Sequence, residues 1–361
     1  MRHPARAHRT VLLALAIGAA ASAPSLVAQQ PDPHPTFTVG SATARRGEKA
    51  TGVIAVPAGV DAALDIPVAL FHGARPGPVL ALVAGAHGTE YASVIAMEQL
   101  IRQLDPAKIR GTVIVVPLVN IPSFQKMVPH LNPVDGKNMN RFYPGNPTGT
   151  QTERASFAIT RQVVEPSDHL VDMHGGDIDE SLRPFSYWTV TGHAAQDAAS
   201  KAMVLAFGLP YIVVSRDRPQ DAGASKYLEN TASTRGKASF TAEAGHAGTV
   251  AASDVDTLVN GSLKLMAHLR MLDRKASAVR HPVWLTEMLS VTATIGGIFY
   301  PEVKRDQRVK KGARLGHTTD YLGREVEVAT APADGIVLYV RPVPSMNTGE
   351  TIAAIGVVGK P

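Results

Sequence analysis

A histidine and a glutamate stand three residues apart, at His87 and Glu90, directly after a run of apolar residues. Side chains at this spacing can turn toward one ion, and a catalytic zinc site commonly uses two histidines and one glutamate while leaving a position for water. His174, which follows a second apolar run, is the best candidate for the third ligand. Both histidines have glycine neighbours, which permit tight turns and close approach of the backbone. The alternative for so short a motif is a solvated pair on the surface.

Polar residues suited to the hydrolysis of an acyl bond occur in two other segments. Glu243 follows the apolar run 238–242 and could act as a general base toward water activated by the metal. Asn140 and Arg141 lie in a loop rich in glycine and proline, where a guanidinium fork and an amide donor together suit a carboxylate or carbonyl oxygen. The alternatives are a solvated glutamate and a loop held by a structural pair between arginine and aspartate.

The apolar and amphipathic runs around these residues predict alternating strands and helices. Near-continuous apolar runs indicate buried strands, and helical periodicity indicates helices. The predicted strands cover 78–86, 112–119, 169–173, 185–191, 211–215 and 238–242, and the predicted helices cover 91–104, 152–164, 194–207 and 253–272. Such alternation is typical of a largely parallel sheet covered on both faces. Because ligands bind at the carboxyl ends of such strands, we expect His87, His174 and Glu243 to share one site.

The character of the sequence changes after about residue 280. Helical periodicity stops there, and glycines punctuate short runs that favour strands. Residues 309–316 weakly resemble residues 346–353, which indicates two related halves. We therefore predict a catalytic α/β domain over residues 37–280 and a small all-β domain over residues 285–361.

The N-terminal segment accounts for most of the excess positive charge. The 361 residues carry a formal net charge of +5 and contain no cysteine, which excludes disulfide bonds and thiolate metal ligands. Residues 1–28 combine a basic start, a short apolar stretch and small residues before Gln29, a pattern typical of a secretory signal peptide. A Pro-rich linker is predicted over residues 29–36, so the mature protein would be exported, with an uncleaved membrane anchor as the alternative. Without the leader, 33 basic residues would balance 31 acidic ones, so net charge does not indicate a nucleic-acid partner.

Five motifs appear in a fixed order along the chain. They are GAHGTE at 85–90, DGKNMNRFYPG at 135–145, TERA at 152–155, DMHG at 172–175 and EAG at 243–245. In this order and spacing they resemble the succinylglutamate desuccinylase/aspartoacylase family of the zinc carboxypeptidase-like superfamily, over residues 78–250. The resemblance implies a three-layer αβα domain with a mixed, largely parallel sheet, followed by a small C-terminal all-β domain of barrel-sandwich type.

The resemblance also implies roles for individual residues. It matches His87, Glu90 and His174 to the ligands of one zinc ion per chain, Glu243 to the catalytic glutamate, and Asn140 with Arg141 to a substrate-orienting pair. Relatives commonly have an arginine shortly before the Asp-Gly step that polarises the scissile carbonyl, whereas this chain offers His130. Three possibilities follow: His130 supplies that donor, Arg141 and zinc suffice, or another arginine approaches in space.

The resulting hypothesis is metal-assisted hydrolysis of the amide in an N-acyl amino acid or a similar small, carboxylate-bearing amide. Glu243 would take the proton of the attacking water and pass it to the leaving amine. The alternatives are an exported metallocarboxypeptidase or esterase acting on peptides or cell-wall fragments, and a degenerate, non-catalytic binding protein. A biotin or lipoyl carrier is disfavoured, because the tail offers only Arg324 where a carrier needs a lysine. The basic run at 304–311 has no interleaved aromatic residues and does not indicate nucleic-acid binding.

Overall fold

Apolar runs and amphipathic segments of the sequence form the strands and helices of a computed structural model, which describes Met1 and residues 34–361. The helices are α1 (Tyr91–Gln103), α2 (Ile121–Lys126), α3 (Gln151–Ile159), α4 (Ala194–Phe207), α5 (Leu228–Ser233) and α6 (Ala252–His268). The first eleven strands are β1 (Thr36–Val39), β2 (Ala42–Arg45), β3 (Glu48–Val56), β4 (Leu64–His72), β5 (Arg75–Ala84), β6 (Arg110–Val116), β7 (His169–His174), β8 (Ser181–Leu182), β9 (Phe185–Thr189), β10 (Tyr211–Ser215) and β11 (Ala238–Glu243). The later strands are β12 (Val283–Thr292), β13 (Gly297–Pro301), β14 (Arg308–Val309), β15 (Arg314–Thr319), β16 (Glu325–Thr330), β17 (Gly335–Val340), β18 (Ser345–Met346) and β19 (Thr351–Val358). Apart from Met1, the predicted signal peptide lies outside the described residues.

Within residues 34–361, one mixed sheet of 13 strands follows the order β14-β17-β19-β12-β10-β9-β11-β7-β5-β6-β4-β3, with β8 paired to β17. Parallel pairing joins β6, β5, β7 and β11, and it also joins β9, β10 and β12. Antiparallel pairing of β9 with β11 connects the two groups, and antiparallel β4 and β3 extend one side. The sheet is therefore mixed with a largely parallel centre, as predicted.

Both faces of the central strands are buried, as their near-continuous apolar runs predict. In β5, Leu80 and Leu82 pack on one face, in a core that includes residues of α1, α4 and α6. The alternate residues Ala81 and Val83 pack on the other face, with Ile159 of α3 and residues of α5. Side chains that alternate between two covered faces produce the three-layer αβα arrangement.

Local signals set the limits of the helices. α3 begins with a capping box between Thr150 and Glu153, and the predicted helix 152–164 continues beyond it as a π-helical segment, Thr160–Val164. α4 has the predicted limits and ends at Gly208, whose φ of 103° is left-handed and suits glycine. α6 ends at His268, before the predicted limit of 272.

The C-terminal part of the chain is rich in strands and joins the main sheet. β12 pairs in parallel with β10, and β19 and β17 follow β12 across the sheet. A separate four-stranded sheet has the order β16-β15-β13-β18, and Phe299 and Leu315 belong to the core of this part. The limits of the two domains stay a prediction. In the described part of the chain, no helix is long and apolar enough to cross a membrane.

Candidate active site and metal centre

Three neighbouring strands end at one edge of the main sheet and bring the predicted site residues together. β5, β7 and β11 are adjacent and parallel, and His174 is the last residue of β7. Glu243 ends β11 and is the register partner of His174. His87 and Glu90 lie in the loop between β5 and α1. Parallel pairing therefore gathers residues from distant parts of the sequence at one place.

His87, Glu90 and His174 form a buried cluster in which each histidine faces one carboxylate oxygen. Nδ1 of His87 lies 2.6 Å from Oε1 of Glu90, and Nδ1 of His174 lies 2.9 Å from Oε2. One ligand atom from each residue lies within 4.8 Å of the other two. Burial raises the pKa of Glu90, but the charges of His174 and His87 outweigh burial and hold that pKa well below its usual value. Together the three donors could hold one metal ion.

The Nε2 atoms of His87 and His174 both face oxygen atoms outside the cluster. These contacts indicate which nitrogen of each ring carries the proton and which one faces Glu90. Nε2 of His174 donates to Oδ1 of Asp172 at 3.1 Å, and Nε2 of His87 donates to Oδ1 of Asn138 at 3.1 Å. In a neutral ring, a proton on Nε2 leaves the lone pair of Nδ1 directed at the Glu90 carboxylate. That arrangement requires positive charge between the three groups, and outer partners of this kind are usual for metal-binding histidines. The donor set therefore fits a zinc ion.

Glu243 lines the same cavity as the cluster. Burial raises the pKa of its carboxyl well above the usual value; His174 opposes this shift, and Glu90 and Glu180 add to it. A carboxyl group with an elevated pKa is suited to accept a proton and to return it. The structure thus places Glu243 beside the cluster, where a general base would have to lie.

Asn140 and Arg141 are neighbours in a short 3₁₀ turn, but their side chains have different surroundings. Nδ2 of the buried Asn140 donates to Oδ2 of Asp172 at 3.4 Å, and its Oδ1 accepts a hydrogen bond from the Leu228 N–H at 2.9 Å. Asn140 therefore supports His174 through Asp172, the carboxylate that accepts the Nε2 proton of that ring. Arg141 lines the cavity, and Nη1 donates to the backbone carbonyl of Asn140 at 2.7 Å.

A tyrosine that the sequence analysis did not single out lies against two guanidinium groups beside the cavity. Cζ of Arg141 lies 4.8 Å from the centre of the Tyr227 ring, and Cζ of Arg218 lies 3.9 Å from it. Both guanidinium groups line the cavity, and the charge of Arg218 also acts on the nearby Glu229. Arg218 follows the end of β10 by three residues, and this position at the carboxyl end of a strand is the signal that could have identified it.

His130 lies beside His87, with 5.6 Å between the ring centres, and lines the cavity. Nε2 of His130 lies 2.9 Å from Oδ1 of Asp179, and Nδ1 lies 3.3 Å from Oδ2 of Asp177. Burial lowers the pKa of His130, but Asp179, Glu180 and Asp177 raise it to about 10. His87, His130 and Asp177 also approach one another within 4.8 Å, but the two ion pairs already occupy both nitrogens of His130. His130 is therefore near the cluster without an N–H directed at a substrate.

A cavity of about 910 Å³ opens at the cluster, and it is lined by residues that precede β12, by residues of β12 itself and by residues that follow it. Arg341, which follows β17, and Glu350, which precedes β19, belong to one wall. A cavity of this size admits a small molecule. Glu180 is a further carboxyl in the lining, and burial raises its pKa to about 7.

The mixed αβα sheet, with a His-Glu-His cluster at its strand ends, defines a protein with the zinc-carboxypeptidase-like fold. The chain matches the family model described as the succinylglutamate desuccinylase/aspartoacylase catalytic domain over residues 76–269. This match covers more than half of the chain, and the chain belongs to that family. The resemblance carried by the five motifs is therefore confirmed.

Individual relatives agree with this assignment. The chain is 27% identical over 302 residues to the N-alpha-acetyl-L-2,4-diaminobutyric acid deacetylase of Halomonas elongata, an alignment that covers 82% of this chain and 86% of the relative. A succinylglutamate desuccinylase/aspartoacylase from Rhodobacter sphaeroides superimposes with a TM-score of 0.76 at 25% identity, over 87% of this chain and 96% of that one. The product-bound ectoine utilization protein EutE (DoeB) from Ruegeria pomeroyi superimposes with a TM-score of 0.78 at 25% identity, over 91% and 100% of the two chains. The predicted fold is confirmed, and the family supports a hydrolytic deacylase.

Proposed function

We propose that this protein uses one zinc ion per chain to hydrolyse the amide bond of an N-acyl amino acid, or of a similar small amide that bears a carboxylate. The observation that carries the proposal is the complete donor set of His87, Glu90 and His174 beside Glu243, in a cavity of small-molecule size. The complete set weighs against a degenerate binding protein. The deacetylase from H. elongata supports an N-acyl amino acid as the substrate class.

His87, Glu90 and His174 would hold the zinc ion through Nδ1 of each ring and the carboxylate between them. A zinc ion in such a site supplies Lewis acidity, which lowers the pKa of water to about 7 and polarises a carbonyl group. Asp172 and Asn138 keep the two rings in the required tautomer, because each accepts the Nε2 proton of one ring.

Glu243 carries out the proton transfers of the proposed reaction. Its carboxylate takes a proton from the attacking water while the water oxygen bonds to the acyl carbon. The carbon–nitrogen bond then breaks, and Glu243 returns the proton to the leaving nitrogen. The products are a free carboxylic acid and a free amine. A half-buried carboxyl with a raised pKa retains the proton between the two transfers.

Arg141 and Arg218 provide the anchor for the carboxylate of the substrate. A guanidinium group binds a carboxylate through two parallel hydrogen bonds, and the ring of Tyr227 orients both groups without neutralising them. Binding at this end of the cavity holds the acyl carbonyl close to the metal ligands, which lowers the entropic cost of the reaction.

The variant Glu243→Gln tests the assignment of the base. We expect kcat to fall by about 10²–10⁴-fold, because the amide cannot accept the proton. Zinc content measured by metal analysis should stay at one equivalent, since the three ligands are unchanged. Glu98→Gln, which alters an exposed residue of α1, is the matched control and should keep wild-type activity. Full activity of Glu243→Gln would exclude Glu243 as the base.

A substrate panel separates the deacylase from the alternatives. We would compare N-acetyl and N-succinyl amino acids with their carboxyl-blocked amides, with short peptides and muropeptides, and with esters. The free acids should be preferred, because blocking the carboxylate removes the partner of Arg141 and Arg218. Faster turnover of peptides or muropeptides would favour the carboxypeptidase, and faster turnover of esters would favour the esterase.

A further inference from the structure

We infer that Arg341 is a positioning residue that holds the ring of His130 beside the metal-ligand cluster through Asp179. The inference rests on the proposed function, because it assigns a role within that reaction. Arg341 lies between β17 and β18, outside residues 76–269 of the family match and outside the five sequence motifs. The C-terminal part of the chain would therefore act on the site through Asp179 and His130.

Arg341 is almost fully buried, with 5% of its surface exposed, and its guanidinium group is held from several directions. Nη2 lies 3.2 Å from Oδ2 of Asp179 and 2.9 Å from Oε2 of Glu350. Nη1 donates to the carbonyl oxygen of Ser345 at 3.0 Å, and Nε donates to that of Thr351 at 3.5 Å. Ser345, Glu350 and Thr351, which lie in or next to β18 and β19, therefore hold Arg341 in place. Its remaining contact is the ion pair with Asp179, in the loop that follows β7.

Asp179 extends this anchoring to His130. Its Oδ1 accepts a hydrogen bond from Nε2 of His130 at 2.9 Å, while its Oδ2 faces Arg341. On the other side of the ring, Nδ1 lies 3.3 Å from Oδ2 of the fully buried Asp177. Two carboxylates therefore clamp the ring of His130, which meets the ring of His87 at an angle of 77°.

The backbone N–H of His130 donates to Oδ2 of Asp177 at 3.0 Å, so the backbone is anchored while the orientation of the ring is left to side-chain contacts. His130 has a φ of 59°, a left-handed conformation that is unfavourable for a residue with a side chain. Met127 and Leu131 in the same loop are 67% and 39% exposed, so little apolar packing holds the loop down. The ion pairs to Asp177 and Asp179 are consequently the contacts that orient the ring.

A partly buried chain of ion pairs is better explained by orientation than by stability. Removing charged groups from water is costly, and a buried pair often adds little net stability. In the proposed reaction, negative charge develops on the acyl oxygen, and groups held in advance stabilise it better than mobile ones. Both nitrogens of His130 face carboxylates, so its contribution is the position of its ring beside His87 and not an N–H bond to the substrate. The carboxylate end of the substrate lies at Arg141 and Arg218 instead. Loss of Arg341 should therefore lower kcat more than it raises KM.

Steady-state kinetics of Arg341 variants test whether kcat falls more than KM rises. We expect Arg341→Met to lower kcat by about tenfold with less than a twofold change in KM, an effect at the lower end of those seen for supporting contacts. Arg341→Lys should recover part of the loss, because an ammonium group can still reach one of the two carboxylates. Arg314→Met is the matched control: Arg314 also pairs with two carboxylates of the C-terminal part, Glu302 and Glu325, but on the exposed surface. It should keep wild-type constants.

A spectroscopic measurement follows the ring of His130 without reference to activity. In protein labelled with ¹⁵N at histidine, the Nε2 proton that bonds to Asp179 should give a downfield, slowly exchanging resonance, assigned by its loss in His130→Gln. We expect this resonance to shift upfield or broaden in Arg341→Met and to be retained in Arg314→Met. The measurement can be made on protein without metal.

Each outcome bears on one hypothesis. Wild-type kcat together with an unchanged His130 resonance in Arg341→Met would overturn the positioning role. A fall in kcat with an unchanged resonance, or an equal effect in Arg314→Met, would also overturn it, because the loss would then not pass through His130. If Arg341→Met does not fold, the same two measurements on Arg341→Lys decide. Wild-type protein that turns over nothing in the substrate panel would count against the proposed function, while the resonance would still test the positioning.

Discussion

At the scale of single residues, Glu229 links burial to the pH dependence of stability. Glu229 is 1% exposed, and neither carboxyl oxygen has a well-aligned hydrogen-bond partner among the described residues, although Thr189 and Ser233 lie nearby. Burial raises its pKa from 4.5 to about 7, with Arg218 opposing the shift. At a pH well below 4.5 the group is protonated in the folded and the unfolded chain alike. Between pH 4.5 and 7 it ionises mainly in the unfolded chain, so stability falls as the pH rises through this range.

Replacement of this carboxyl should therefore stabilise the protein at alkaline pH. We expect Glu229→Gln to raise the free energy of unfolding by up to about 3 kcal/mol at pH 8 and to change it little at pH 4.5. Urea unfolding at the two pH values measures the difference. Glu98→Gln, an exposed carboxylate on α1, should show no such dependence. Equal free energies for Glu229→Gln and the parent at pH 8 would contradict the argument.

The residues that could be predicted from the sequence are those with a local signal. His87 and Glu90 stand within one short motif, and His174 ends an apolar run, so their types and positions were informative. The stacking of Arg218 on Tyr227 joins two segments that carry no motif, and arginine and tyrosine are common at many surfaces. Such a pair becomes visible only when the fold brings the segments together.

At the scale of elements, the loop between β5 and α1 positions two of the candidate metal ligands, His87 and Glu90, by packing tightly against α2. The Gly88 N–H donates to Oγ of Ser123 at 2.8 Å. A Cβ atom at Gly88 would lie 2.2 Å from the backbone nitrogen of Phe124, which is far too close. The loop and the helix therefore meet at a point that has no room for a side chain.

A single methyl group at this contact should disturb the metal centre. We expect Gly88→Ala to lower the affinity for zinc by at least about tenfold, because the loop that carries His87 and Glu90 must move away from α2. Titration with zinc against a competing chelator measures the affinity. In the control Gly223→Ala, the new Cβ would meet its nearest atom at 3.6 Å, an ordinary contact, and zinc affinity should not change. Wild-type affinity of Gly88→Ala would show that the loop tolerates the shift.

The elements of the α/β core could be predicted because each follows from a pattern within its own segment. α4 and β10 have the predicted limits, since an amphipathic repeat and an apolar run mark them directly. The place of β12 beside β10 has no such signal, because the pairing of Tyr211 with Val283 depends on register between distant segments. The continuity of the main sheet into the C-terminal part was therefore outside the reach of sequence patterns.

At the scale of the whole molecule, the metal-ligand cluster ties the β5–α1 loop to the end of β7. Removal of zinc by a chelator should abolish activity and lower the midpoint of thermal unfolding by several degrees. A ligand at a hundred times its Kd stabilises the folded state by about 2.7 kcal/mol. Addition of one equivalent of zinc should restore both properties. Unchanged activity and an unchanged midpoint after complete removal of the metal would contradict zinc dependence.

The position of β19 also determines when this enzyme can become active during its synthesis. β19 lies between β12 and β17 in the main sheet, although it follows every other strand of that sheet in chain order. Glu350 and Thr351, the partners of Arg341, arrive with it. A nascent chain therefore carries all three candidate metal ligands long before the ribosome has released Glu350 and Thr351, which line the cavity. Because domains generally fold as units and residues 34–361 form one compact unit, we expect catalytic competence to begin only after translation of β19.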